Sequence, residues 1–265
     1  MAIASIDNLI AAYPGQLINF YRSSVATSKG AGMWQSMFGQ NACGGMPGTG
    51  IYPGAGTAWS VRTSALSGAL PFTNPVTGSS YLAGFRIAAS AQALFVLYDR
   101  LAHTSSITPA ASTQTTASVA LTRPDSLGAD VELWWEWLTA SSASPASDFT
   151  CSYTNQAGVA GRTTQAIAGQ TTSVPSQLQQ LPLQAGDTGV RTVESFTGTG
   201  AIGGTGQLVL LRRISDLQVT NIAASADPFT TGMPRIYDSA ALSLMWVSYT
   251  ATTQTVHGSI QVVQG

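Results

Sequence analysis

The chain has 265 residues, and 44% of them are hydrophobic, which is enough to bury a substantial core. Only 9% are charged, against about 25% in a typical soluble domain, and the formal net charge is −1. So few Lys and Arg side chains argue against nucleic acid as a partner, and weak electrostatic repulsion favours association between copies.

The first predicted element is a short amphipathic helix. Residues 5–13 place Ile6, Leu9 and Ile10 on one helical face behind a Ser5 cap. The next segment, Q-L-I-N-F-Y-R, is apolar enough to be a second short element of either type. The N-terminus carries no basic region and no long apolar run, so we expect no secretory signal and synthesis as a soluble cytoplasmic product.

Residues 28–58 form a long glycine-rich segment that contains several aromatic and methionine side chains. A loop of this length is uncommon inside a compact domain unless it is functional or lies on a neighbour. We therefore predict an N-terminal arm or extended lobe over residues 1–58 and a β domain over residues 59–265. Our hypothesis is that the arm lies across an adjacent subunit and docks through its apolar side chains. These interface side chains are Trp34, Met37, Phe38 and Tyr52.

From residue 59 onward, short segments rich in β-branched and aromatic residues alternate with turn residues. This pattern predicts a mainly β fold, either a jelly-roll-like domain or a β-sandwich. In residues 91–101, A-Q-A-L-F-V-L-Y-D-R-L, a helix competes with a strand, and the glycines of residues 155–162 predict a hairpin or bulged connection. The other predicted strands are A-W-S-V-R-T-S, F-R-I-A-A-S, V-E-L-W-W-E-W-L, D-F-T-C-S-Y-T, T-V-E-S-F-T, Q-L-V-L-L-R-R-I and L-S-L-M-W-V-S-Y-T-A.

The segment V-E-L-W-W-E-W-L at residues 131–138 combines three tryptophans with two glutamates. Its periodicity fits a helix or a strand, but the β-rich surroundings favour a strand. In a strand, Trp135 and Trp137 face the core. Two acids and the remaining tryptophan then share the opposite face, which we expect to be solvated or interfacial. These residues are Glu132, Trp134 and Glu136.

Paired acids in this segment could be the catalytic carboxylates of a glycosidase. Four residues of strand separate Glu132 from Glu136 by roughly 13 Å, whereas glycosidase acid pairs lie about 5–10 Å apart. The strand prediction therefore argues against this pair, and we assign no catalytic residue. Trp134, between the two acids, is a candidate interface contact if it is exposed, although burial is the favoured position for an aromatic side chain. Arg100 and Asp187 are predicted to belong to turns and ion pairs.

The sequence predicts no metal site and no cofactor. Cys43 and Cys151 lie far apart without a second pair of ligands at zinc spacing, and neither His103 nor His257 has a carboxylate nearby in sequence. Two buried thiols are favoured, and a disulfide between them stays open. The longest apolar run, at residues 93–98, is too short to cross a bilayer, so we expect no membrane partner.

Several motifs over roughly residues 80–220 are distinctive as a set. They are L-Y-D-R-L at 97–101, L-T-R-P at 121–124, W-W-E-W-L-T-A at 134–140, C-S-Y-T-N-Q-A-G-V-A-G-R-T-T at 151–164, L-P-L-Q-A-G-D-T-G-V-R-T-V-E-S at 181–195 and L-V-L-L-R-R-I at 208–214. Together they resemble a family of structural proteins, of the head or decoration type, encoded among the virion genes of tailed bacteriophages.

This resemblance implies a non-enzymatic virion component, a capsid decoration or head-associated protein that stabilises the particle through subunit contacts. Its partners would be copies of itself, in a trimer if the domain is a jelly roll, and the major capsid protein or other virion proteins. One alternative is a tail, neck or fibre protein that binds host-surface glycans through exposed aromatic residues such as Trp134 or Tyr153. Another is a depolymerase or glycosidase that uses Glu132 and Glu136.

Overall fold

The structure is a computed structural model, and it confirms a mainly β protein, with 50% of the residues in strands and 4% in helices. It describes residues 5–12, 15–25, 31–38, 56–65, 68–141, 147–170, 172–220, 222–250 and 254–265. No helix within these ranges is long and apolar enough to span a membrane.

The described residues form two short helices and a series of strands. The helices are α1 (Ile6–Ala12) and α2 (Pro228–Thr231). The strands are β1 (Gln16–Val25), β2 (Trp34–Ser36), β3 (Trp59–Val61), β4 (Ser80–Ala89), β5 (Ala93–Thr104), β6 (Thr113–Thr115), β7 (Val131–Trp137), β8 (Asp148–Asn155), β9 (Arg162–Thr163), β10 (Ile167–Ala168), β11 (Gln177–Gln180), β12 (Val190–Gly198), β13 (Gly206–Val219), β14 (Ala223–Ala226), β15 (Arg235–Ile236), β16 (Leu242–Ser248) and β17 (Gln254–Gln264).

The chain divides into two compact units, each with its own hydrophobic core. Unit 1 comprises residues 1–49, 63–99 and 214–265, and unit 2 comprises residues 50–62 and 100–213. The division falls inside strands β5 and β13, so the chain leaves and re-enters unit 1 in the middle of a strand. The predicted boundary between residues 58 and 59 stays a prediction.

Unit 1 is a β-sandwich. One of its sheets has the strand order β1-β17-β4-β14, with β15 also beside β4, and the other contains β2, β16 and the first part of β5. Alternate side chains from both sheets meet in one core, because successive residues of a strand point to opposite faces. Its aromatic members are Phe20, Phe72, Phe85, Phe95 and Trp246.

Unit 2 is also built from layered sheets. One has the order β10-β8-β12-β6, with β9 beside β8, and another contains β11, β7 and the first part of β13. The last residues of β5 pair with β3. Aromatic side chains from β7, β8 and β12 fill the core between these sheets. They are Trp135, Trp137, Phe149, Tyr153 and Phe196.

Most local predictions are confirmed. Helix α1 begins behind Ser5, whose hydroxyl accepts a hydrogen bond from the Asn8 backbone N–H at 3.2 Å, as in an N-cap. Of the segment 91–101, residues 93–101 fall in strand β5 rather than in a helix, and nearly all of their side chains are buried. The glycine-containing segment 155–162 connects β8 to β9 as an antiparallel hairpin. All seven of the other segments predicted as strands contain a strand.

Candidate interaction surface

The tryptophan-rich strand β7 is a core strand of unit 2. The ring centroids of Trp135 and Phe196 lie 4.8 Å apart in a stacked arrangement, and Trp137 meets Trp135 edge-on at 5.5 Å. Both tryptophans are fully buried. The prediction that Trp135 and Trp137 form core is therefore confirmed.

Glu132 holds a partly exposed ion pair on the opposite face of β7. Arg213 Nε donates to its Oε1 at 2.6 Å, and Trp134 Nε1 donates to its Oε2 at 2.7 Å. The Arg213 guanidinium also lies 5.8 Å from the centroid of the Trp134 ring, within cation–π range. Trp134 itself is fully buried, which is the expected fate of an aromatic side chain, so it is not an exposed contact between the two acids.

Glu136 is fully buried, so its predicted position on a solvated or interfacial face is also wrong. Arg100 Nη2 donates to its Oε2 at 2.6 Å, and Gln207 Nε2 donates to the same oxygen at 2.8 Å. The sequence indicated an ion pair for Arg100 but placed it in a turn, whereas it lies within strand β5. Glu132 and Glu136 are thus bound to different arginines, and the strand that separates them makes a shared catalytic site geometrically unsuitable.

Two further buried arginines and a histidine are linked to this ion pair by polar contacts. Arg100 Nε donates to His103 Nδ1 at 3.0 Å, and Arg62 Nη2 contacts His103 Nε2. Arg123 Nη2 donates to the backbone carbonyls of Arg62 and Arg100. Burial, and then the charges of Arg100 and Arg62, hold the pKa of His103 well below its usual 6.5, so the imidazole is neutral. Burial and the charge of Arg100 lower the pKa of Arg62 to about 10. These contacts tie strands together and leave no role for His103 as a proton donor to solvent.

Asp187 organises a second polar cluster in unit 2. Its carboxylate accepts hydrogen bonds from Tyr153 Oη at 2.6 Å, Asn155 Nδ2 at 2.7 Å and Arg162 Nε at 2.9 Å. The hydrogen bonds from Arg162 and Tyr153 lower the pKa of Asp187 to about 2. Burial, with the hydrogen bond to Asp187, raises the pKa of Tyr153 to about 12. The predicted ion pair at Asp187 is confirmed.

A depression in the surface of unit 2 adjoins both groups, and the charged side chains that line it already have ionic partners. It encloses about 490 Å³ and is lined in part by Glu132, Arg213 and Asp187. Each of these three side chains already has an ionic partner within the chain. Tyr153, which the sequence suggested as a glycan contact, is fully buried, as is Trp134, so exposed aromatic stacking on either side chain is ruled out.

The side chains predicted to dock on a neighbouring subunit have different environments. Met37 and Phe38 are fully buried, and Met37 belongs to the core of unit 1. Trp34 is partly exposed on strand β2, and Tyr52 lies outside the described residues. Residues of the same chain therefore cover Met37, Phe38 and Trp134. Contact of these side chains with a neighbour stays a prediction.

The broadest regular surface is the outward face of the β1-β17-β4-β14 sheet in unit 1. Strand register places outward residues in rows across the sheet: Leu17 with Gln261 and Gly84; Asn19 with Ser259, Arg86 and Ser225; and Tyr21 with His257, Ala88 and Ala223. Arg86 is the one charged residue in these rows. Because charged residues are depleted at the centres of protein interfaces, a face with so little charge is a candidate for packing against another protein surface.

Strand β1 forms the edge of this face. Among the described residues it pairs with β17 and with no other strand. Leu17 and Tyr21 are each 55% exposed, while Ile18 and Phe20 between them are buried in the core. Sequence reasoning did not identify this surface, because it treated residues 1–58 as an arm. The alternation of Leu17, Asn19 and Tyr21 with apolar residues is the signal that could have revealed it.

Cysteine and metal chemistry adds nothing to this surface. Cys151 is a free, buried thiol, and burial raises its pKa above the ordinary range, which makes it unreactive. Cys43 lies outside the described residues. Within the described ranges, no cluster of three or more His, Cys, Asp and Glu side chains could hold a metal ion.

Comparisons with known proteins identify no family. No family model matches the chain, and no curated protein matches it significantly. Among solved structures, the crystal structure of the infectious bursal disease virus VP2 subviral particle matches with 11% identity and a TM-score of 0.22, covering 94% of this chain and 80% of that one. The infectious bursal virus derived T=1 particles match with 10% identity and a TM-score of 0.21, covering 94% and 77%. TM-scores this low establish neither a shared fold nor a shared function.

Proposed function

We propose that the chain is a non-enzymatic structural component of a tailed-phage virion, a capsid decoration or head-associated protein that acts by packing against copies of itself and other virion proteins. The observation that carries the proposal is the outward face of unit 1. Its rows contain one charged side chain, Arg86, and end at an edge strand with exposed Leu17 and Tyr21. Depletion of charged residues is typical of the centre of protein interfaces, so this face supports packing against another protein surface.

The state of the acidic groups supports the non-enzymatic part of the proposal. Three carboxylates of unit 2 are held in ion pairs. The pairs are Glu136 with Arg100, which is fully buried, Glu132 with Arg213, and Asp187 with Arg162. A general acid or base needs a pKa near the working pH and access to a substrate. Asp187, with a pKa of about 2, is a structural anion at neutral pH. These carboxylates stabilise the fold of unit 2.

The glycine-rich part of the arm predicted over residues 1–58 is proposed to make further contacts with neighbouring subunits, with Tyr52 as an apolar anchor. Glycines let a segment follow a neighbouring surface closely, and aromatic side chains supply most of the contact energy at protein interfaces. A variant lacking residues 39–55 should enter particles less efficiently than the wild type, whereas equal incorporation would remove the segment from the proposal.

The experiment that tests the function is the quantification of this protein in purified particles by mass spectrometry against isotope-labelled peptides. A decoration or head-associated protein should be present at a copy number that matches the repeat of the capsid shell. A copy number matching only the tail or neck would replace the head position with a tail position. Absence from purified particles, with the protein present in the lysate, would overturn the structural role.

A further inference from the structure

Among the described residues, strand β1 is the edge of its sheet, and few of the features that normally prevent edge pairing occur in it. Its one charged residue, Arg22, and its bulge both lie towards its C-terminal end. Natural edge strands are usually short or carry proline, lysine or inward-pointing charges. Strand β1 spans ten residues, Q-L-I-N-F-Y-R-S-S-V, with neither proline nor lysine. At the other end of the sheet, strand β14 has four residues, and Pro228 follows it closely. The two ends of the sheet therefore differ, and only β1 offers a long backbone edge.

The regular part of β1 has a defined centre. Its residues Gln16 to Arg22 pair in unbroken register with Val262 to Val256 of β17, and a bulge interrupts the register between Arg22 and Val25. Asn19 is the middle residue of this regular stretch. Its side chain points outward and is exposed, and no hydrogen bond joins it to another described residue.

We infer that two copies of this chain associate through their β1 strands, which pair antiparallel about a two-fold axis at Asn19. The inference rests on the proposed role as a self-associating subunit and identifies the partner at that surface. A two-fold axis perpendicular to a sheet brings identical edges together in antiparallel orientation, and the same patch serves both partners. The two sheets then form one continuous sheet with the order β14-β4-β17-β1-β1-β17-β4-β14.

The sequence of β1 is complementary to itself in this register. Leu17 lies opposite the partner's Tyr21, and Asn19 lies opposite the partner's Asn19, so an apolar pair flanks an amide pair on each side. Cross-strand neighbours of this kind are the unit of sheet stabilisation. At the ends of the stretch, Gln16 lies opposite the partner's Arg22. Pairing would cover Leu17 and Tyr21, which are about half exposed in the single chain. It would also let the two Asn19 side-chain amides form hydrogen bonds with each other.

Neighbouring registers lose this complementarity. Only even shifts keep outward residues opposite outward residues, so the axis must pass through a residue. An axis at Ile18 places Leu17 opposite Asn19 and Tyr21 opposite Gly15. An axis at Phe20 places Tyr21 opposite Asn19 and extends the pairing into the bulged end of β1. The axis at Asn19 is the one that pairs both apolar side chains and uses the whole regular stretch.

Cysteine cross-linking tests the register in the full-length chain. In a Cys43→Ser background, Asn19→Cys places two thiols opposite each other, with the Cα atoms about 4.5–5.5 Å apart, within the range that a disulfide accepts. Tyr21→Cys is the matched control, since four residues, roughly 13 Å, separate the two positions along the strands. Mild oxidation should give a covalent dimer for Asn19→Cys and none for Tyr21→Cys. Equal cross-linking of both variants, or of neither, would overturn the register.

Charge variants test the interface without a covalent bond. Leu17→Lys with Tyr21→Lys places like charges opposite each other and should shift the dimer to monomer in sedimentation velocity experiments. Leu17→Lys with Tyr21→Glu places opposite charges there and should keep the dimer. Circular dichroism of both variants checks that the fold is intact. A Lys/Lys variant that still sediments as a dimer would refute pairing through β1.

The two proposals fail in different ways. If the wild-type chain sediments as an oligomer but neither the cross-link nor the charge variants behave as expected, the β1 interface is wrong and self-association stands. If the wild-type chain sediments as a monomer, the β1 dimer is overturned, and the copy number in particles independently decides the structural role.

Discussion

The Arg100 guanidinium donates to Glu136 Oε2 at 2.6 Å, and both side chains are completely buried. The pair joins strand β5 to strand β7, and the Gln207 amide of strand β13 donates to the same oxygen. Taking two charges out of water is costly, so a buried pair contributes mainly by making the loss of either partner severe. The ion pair therefore holds strands β5, β7 and β13 together inside unit 2.

Replacement of Glu136 should be among the most destabilising changes in unit 2. Glu136→Ala leaves Arg100 buried without its carboxylate, and we expect a loss of about 3–5 kcal/mol in the free energy of unfolding. Glu132→Ala is the control on the same strand, because its partly exposed pair with Arg213 should contribute about 1 kcal/mol or less. Urea denaturation of both variants measures the difference. Equal losses in the free energy of unfolding for the two variants would contradict the full burial of the Glu136 ion pair.

The stability of the protein should fall as the pH drops below 6.5, because His103 is held neutral in the folded state. Its folded-state pKa lies well below the unfolded value of 6.5, so below pH 6.5 the unfolded chain binds a proton that the folded chain does not. The slope from this one group is at most about 1.4 kcal/mol per pH unit. His103→Gln should flatten the profile between pH 6.5 and pH 5, measured by urea denaturation. A His103→Gln profile as steep as that of the wild type would contradict the buried, neutral imidazole.

Asp187 should add a second, more acidic transition. Its pKa is lowered from 3.8 to about 2 in the folded protein, so its stabilising effect is complete above pH 4 and disappears as the pH falls towards 2. Asp187→Asn should lower stability at neutral pH and weaken the acid dependence in that window. Asp216→Asn, at an exposed carboxylate of β13, is the matched control. Thermal unfolding across the pH range measures the stability of both variants. If the stability of Asp187→Asn falls between pH 4 and pH 2 as steeply as that of the wild type, the lowered pKa of Asp187 is contradicted.

The sequence was informative about strands and much less so about what covers them. The alternation in residues 131–138 correctly placed Trp135 and Trp137 in the core, because side-chain direction in a strand depends only on residue parity. It could not show that the opposite face is buried too. That depends on Arg100 and Gln207, which lie 36 and 71 residues from Glu136 along the chain.

The candidate surface depends even more strongly on distant parts of the chain. Strand β1 is an edge because β17, at the far end of the sequence, pairs with one side of it. Local composition indicated an apolar segment at residues 16–22 but gave no information about which strand lies beside it. The glycine-rich region after it suggested an arm, which drew attention from β1 to Trp34, Met37 and Phe38. Of these three, Met37 and Phe38 are fully buried within the chain.

The most direct test of the central claim is the mass of the purified wild-type chain in solution, measured by sedimentation velocity over a series of concentrations. If the charge-poor outer face of unit 1 is a surface for packing against copies, the mass should rise with concentration from the 27.4 kDa of one chain to multiples of it. A mass that stays at that of one chain at every concentration would contradict self-association through this face.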